Sequence, residues 1–94
     1  MTLHNVKSFD LGGINYPVKY VKEIESDPNL NGMAYLEKRF IRIRDDLDKD
    51  RASQVFCHEL THCILSIMGN ELCDDEEFVD LFGTFLQQAL KTIK

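Results

Sequence analysis

The stretch Arg51-Ala52-Ser53-Gln54-Val55-Phe56-Cys57-His58-Glu59-Leu60-Thr61-His62-Cys63-Ile64-Leu65-Ser66-Ile67-Met68-Gly69-Asn70 decides how this chain is read. Its apolar residues Phe56, Leu60, Cys63, Ile64 and Ile67 recur at helical intervals, which predicts an amphipathic helix with that stripe turned inward. The run Asp45–Asp50 supplies N-cap candidates in front of it, and Gly69-Asn70 is a natural C-terminus, so the helix is expected over 49–69.

Within that helix, His58 and His62 lie one turn apart and project from the same face. That spacing suits two imidazole ligands on one zinc ion. Glu59 follows the first histidine and points beside the metal, where it can take a proton from a metal-bound water. This is the HExxH arrangement, with a mechanical reason for each residue. Cys57 and Cys63 flank it, but neighbours on a helix are about 100° apart, so neither shares the histidine face. Cys63 falls on the core stripe instead.

Zinc needs a third protein ligand and an open position for water. Downstream, Asp74-Asp75-Glu76-Glu77 opens a second helix over 74–93, with acids where the helix dipole favours them. Its expected apolar stripe is Phe78, Phe82, Phe85, Leu86, Ala89 and Ile93. Glu76 and Asp80 share a face of this helix. Glu76 is the expected third ligand, with Asp80 accepting a hydrogen bond from a ligand imidazole. A plain helical hairpin centred on Gly69 would instead set Asp80 opposite His62, which keeps Asp80 as the rival ligand. Gly83, on the same face, would let the two helices approach closely.

Upstream, the period changes to two. Val6–Leu11, Ile14–Val21, Gly32–Leu36 and Phe40–Ile43 read as strands, with Gly12-Gly13 and Glu37-Lys38-Arg39 as turns. Pro17 removes a ladder donor, which argues for an edge or a bulge there. The expected fold is α+β: a small antiparallel N-terminal sheet of three to four strands packed on two C-terminal helices, a minimal zincin-like core in a single domain over 1–94, with 1–45 β-rich.

The chain has 94 residues and a formal net charge of -5. An acidic domain lacks the basic footprint nucleic acid requires, and Lys38, Arg39, Arg42 and Arg44 fit a solvated strand face better than a phosphate site. No run is long enough to span a bilayer, and the first residues lack the apolar segment of a signal peptide. The odd set Cys57, Cys63 and Cys73 fits reduced thiols, so a cytoplasmic location is expected, in a host cell if the chain is phage-encoded.

His58-Glu59-Leu60-Thr61-His62, followed by Glu76-Glu77-Phe78-Val79-Asp80-Leu81-Phe82-Gly83-Thr84, resembles the gluzincin metallopeptidases. Thermolysin-like members carry a Glu-x-x-x-Asp-x-Phe-Gly-Thr segment on the helix after HExxH, whose Glu is the third zinc ligand and whose Asp supports a ligand histidine. The resemblance therefore implies Glu76 and Asp80 in those roles. In size and element order the chain is similar to the short phage and prophage HExxH proteins grouped with ImmA/IrrE-type metallopeptidases. Relative to thermolysin, the interval from His62 to Glu76 is shorter and the downstream subdomain with its oxyanion histidine is absent. His4 is the one other histidine, and Tyr16, Tyr20 and Tyr35 are the remaining oxyanion donors to weigh.

The expectation is a zinc metallopeptidase with one Zn2+ per chain on His58, His62 and Glu76, Glu59 as general base, and a peptide or protein as substrate. Either the strand Phe40–Arg44 or an edge strand near Tyr16 would pair with extended substrate. The alternative is a non-catalytic, zinc-stabilised module that engages a host or partner protein.

Overall fold

The computed structural model describes residues 2–94. Strands β1 (Ser8–Leu11), β2 (Ile14–Val21), β3 (Gly32–Tyr35) and β4 (Phe40–Arg44) precede helix α1 (Lys49–Ile67) and helix α2 (Glu76–Thr92). A short 3-10 turn, Glu71–Asp74, links the helices. The α+β class is as the sequence implies: one sheet, then two helices.

The ends of α1 follow from local chemistry. Asp48 is the N-cap, its carboxylate accepting the Arg51 N–H at 2.8 Å. At the other end Gly69 adopts the left-handed conformation, φ 66°. Gly69 N–H then reaches Ser66 O and Asn70 N–H reaches Leu65 O, closing the helix in a Schellman motif. Asp75 caps α2 by accepting from Phe78 N–H at 3.0 Å.

The sheet corrects one expectation. Its order is β1-β2-β4-β3, and β2 pairs with β4 in parallel, so it is mixed and not antiparallel throughout. The turn from β2 to β3 causes this. It carries Ile24, which is fully buried, and left-handed Glu25 and Ser26. That segment leads the chain past the lane beside β2, so β3 enters on the far side and β4 returns into the gap. Arg44 N–H bonds Asn31 O and Asp45 N–H bonds Val21 O, fixing β4 to both sides. Ile41 and Ile43, each 0% exposed, suit this central position. Pro17 lies before the β4 ladder begins at Val18↔Ile41, so β2 tolerates it while being interior beyond that point.

Two of the positive residues of the β3–β4 hairpin, Arg42 and Arg44, are engaged within the chain. Arg42 stacks over Tyr35 and Phe40, Lys19 covers the other contact of Phe40 at 4.6 Å, and Arg44 pairs with Asp46 and bonds Pro28 O.

The inner sheet face (Tyr16, Val18, Ile41, Ile43) packs on Val55, Phe56, Cys57 and Cys63 of α1. Of the expected α1 stripe, Phe56 and Cys63 are buried, Leu60 and Ile64 half-buried, and Ile67 exposed. The α2 stripe is rotated from the expected one. Val79 and Gly83 are buried and Leu86 and Leu90 pack on the core, whereas Phe82, Phe85 and Ile93 are exposed. Gly83 explains the rotation: a Cβ there would lie 3.1 Å from both Cα and N of His58, so this face is where the helices touch backbone to backbone.

Replacing Gly83 with alanine sets about 1 kcal/mol of helix propensity against overpacking of about 1–3 kcal/mol on rigid helix backbone. The expected outcome is net destabilisation, read as a lower urea midpoint with unchanged slope; a higher midpoint would mean that the helices part without cost.

Candidate metal centre

α1 supplies His58 and His62 on its α2-facing side, their ring centroids 5.1 Å apart. α2 enters across them at its first turn. Glu76 Oε2 lies 3.2 Å from His58 Nε2, and Glu76 Oε1 lies 2.9 Å from His62 Nε2. One ligand atom from each residue falls within 4.8 Å of the others, so His58, His62 and Glu76 form a group that can hold a metal ion. Bonds of about 2.0–2.2 Å in a tetrahedral site separate ligand atoms by roughly 3.3 Å, close to these spacings. The donor set, two imidazoles and one carboxylate, leaves a fourth position open.

The other ring nitrogen of each imidazole has a neighbour. His62 Nδ1 is 2.8 Å from the Cys73 carbonyl, which fixes that ring with Nε2 toward Glu76. His58 Nδ1 lies 3.5 Å from Asp80 Oδ1. Asp80 thus sits behind His58, on the opposite side of the ring from Glu76, and is not in the ligand group. The 3-10 turn decides between the two acids: it lengthens the connection beyond a plain hairpin and brings α2 in with Glu76 over both rings. Its Cys73 carbonyl could not be anticipated from side-chain identity, because it acts through the backbone.

Glu59 lies beside the ligand group in the gap between α1 and β3, where it lines both recesses with His58, and is 8% exposed. Gly32 makes that gap possible. A Cβ there would lie 2.3 Å from Val55 Cγ1 and 3.3 Å from Glu59 Cγ, so only glycine lets β3 lie this close. Burial pushes the Glu59 carboxyl up to about 7; the Glu76 carboxylate adds to the rise and the Ala34 backbone N–H opposes it. A cation held by the histidines and Glu76 would act in the opposite sense from Glu76.

The remaining candidates fall elsewhere. Cys57 and Cys63 are buried in the core, and burial raises their thiols to about 11 and about 12, far from ligand chemistry. Cys73 Sγ is turned to the His62 carbonyl at 3.4 Å. His4 borders a recess with Lys49 and Lys91. Tyr16 stacks on Phe9 in the core, Tyr20 donates to Val6 O, and Tyr35 donates to Glu25, so no tyrosine lines the site among the described residues. Two recesses flank the group instead. One, of about 190 Å³, includes Asn31, Arg51, Gln54 and Asp80; the other, of about 530 Å³, includes Met33, Leu36 and Cys73. Arg51 and Gln54 precede His58 on the same helical face, and that periodicity was the available signal for them.

Comparison with family models, with curated proteins and with solved structures gave no match.

Protein purified without chelator is expected to carry about one metal ion per chain by elemental mass spectrometry. His62→Ala and Glu76→Ala should each lose it on dialysis, while Asp80→Asn should retain it with affinity lowered about 10–100-fold. The reverse ranking of Glu76 and Asp80 would exchange their roles. In metal-free protein at pH 8, Glu59→Gln is expected to raise the urea midpoint, because it removes a buried charge and keeps an acceptor for the Ala34 N–H. A lowered midpoint would mean that Glu59 is better satisfied than its burial implies.

Proposed function

We propose that the chain is a zinc-dependent peptidase of the gluzincin type, with His58, His62 and Glu76 as ligands and Glu59 as general base. The observation that carries this reading is Glu59: a buried carboxylate, one residue from a metal ligand, at the junction of the ligand group and an open sheet edge. Bound at that group, zinc would supply a Lewis acid and an acidified water.

Each residue has a part that follows from its surroundings. The Ala34 N–H favours the ionised form of the Glu59 carboxylate. Desolvation makes that carboxylate a stronger base than an exposed one, suited to accepting a proton from water at Oε and returning it to the departing amine. The Cys73 carbonyl holds the His62 imidazole in one orientation, and Asp80 stands beside His58 Nδ1, where it would support that ring.

Extended substrate would pair with β3. The strands considered from sequence, β4 and the Tyr16 strand β2, are both interior in the sheet order, whereas β3 has a free edge and borders both recesses through Gly32. The identity of the base separates this reading from a zinc-stabilised binding module. A metal that only ties α1 to α2 needs His58, His62 and Glu76, and has no use for a desolvated acid next to them.

Glu59→Gln should keep its zinc and its circular dichroism spectrum yet slow cleavage of a defined peptide library by about 10²–10⁴-fold. Equal cleavage by the two proteins would remove Glu59 from the reaction. Absence of zinc from both after reconstitution would remove the reading as a whole.

A further inference from the structure

Among the described residues lining the two recesses, Arg51 is the one cation. Among the described residues its guanidinium has no carboxylate within ion-pair distance and donates only to Gln54 Oε1, at 3.1 Å. The acids nearby are otherwise engaged. Asp48 caps α1 through the Arg51 backbone N–H, Asp50 pairs with Lys91 at 3.1 Å, and Asp80 faces His58. A guanidinium pre-set by a neighbouring amide and left without a counter-charge is a receptor for a planar anion.

Strand polarity says which end of a peptide would arrive there. Gly32 lies against Val55 and Glu59, whereas Leu36, just past the strand, packs with Leu65 toward the other end of α1. β3 therefore runs from the Arg51 end toward the His62 end, in the same sense as α1. A substrate strand added antiparallel to β3 runs the other way, so its C-terminal residues pass toward Arg51. The spacing agrees. Arg51 precedes His58 by roughly 10 Å along the helix axis. A strand advances about 3.4 Å per residue, so a carboxylate one or two residues past the scissile bond comes within an arginine's reach.

We infer that Arg51, held by Gln54 and joined by Asn31, recognises a carboxylate one or two residues to the C-terminal side of the scissile bond; this rests on the peptidase reading. The substrates are then peptides cut near a free C-terminus, or peptides with an acidic side chain at that place. The chemistry is the same in both.

Binding to zinc-loaded, non-cleaving Glu59→Gln protein tests this by calorimetry, with the Gln54 side-chain amide signals followed by NMR. Three probes suffice: acetyl-tetra-alanine with a free carboxylate, the same peptide as its C-terminal amide, and an amide-capped version with glutamate in third place. One of the carboxylate probes should bind about tenfold or more tighter than the neutral one and shift the Gln54 signals. The one that does identifies the source. Arg51→Gln, which keeps the capping N–H and the length of the stem, should erase the preference. Probes that bind alike or not at all, or a preference that survives Arg51→Gln, would overturn the assignment. Failure to take up zinc is a different result: it strikes the peptidase reading, and the same probes on metal-free protein still report on Arg51.

Discussion

The contact on which the rest depends is the one between Gly83 of α2 and the backbone of His58. Glycine inside a helix costs about 1 kcal/mol against alanine, and here that cost secures geometry. With no Cβ at 83, α2 lies against α1 closely enough for Glu76, two turns earlier, to reach both Nε2 atoms at 2.9–3.2 Å. The same approach sets Asp80, one turn from Gly83, behind His58. Val79, fully buried between them, locks the rotation of α2 about its axis. A larger residue at 83 would separate the helices and move all of these groups together.

The sequence was most informative where one element carries its own instructions. The spacing of His58, Glu59 and His62, the Asp48 cap and the Gly69 stop are all local, and α1 forms with them where expected. It was least informative about which strands become neighbours. Phe40–Arg44 alternates as any half-exposed strand does, and nothing in its own residues says that a parallel partner waits on one side. That is settled by a turn carrying Ile24, remote from the strand it displaces. The third candidate ligand lies between these cases. The shared face of Glu76 and Asp80 was evident, but their order over the two imidazoles depended on the 3-10 turn and a backbone carbonyl at Cys73.

The phase of α2 shows why apolar counting went astray. Phe78, Phe82 and Phe85 are the largest apolar side chains of the helix, so a periodicity argument turns all three inward, yet only Phe78 packs against the core. The inward face is in fact the one with Glu76, Val79, Asp80 and Gly83, chosen by close approach and by the ligand group. Phe82 and Phe85 are left 47% and 64% exposed. Packing area favours one rotation and the site the other, and backbone contact at Gly83 sides with the site.

Glu59 extends that conflict to charge. Its carboxylate is enclosed by Val55 and by a strand that only glycine allows so near, and the charge that adds to its rise is another acid, Glu76. In a chain without metal, both features disfavour ionisation. A cation among His58, His62 and Glu76 would change the balance: it would neutralise Glu76 and face Glu59 with positive potential, in the same sense as the Ala34 N–H, which favours the ionised carboxylate. The surroundings of Glu59 are thus poor for a structural acid and coherent for an acid working beside a metal. A metal held by His58, His62 and Glu76 would staple the helices equally well with an apolar residue at 59, and such a residue would be less costly to bury there.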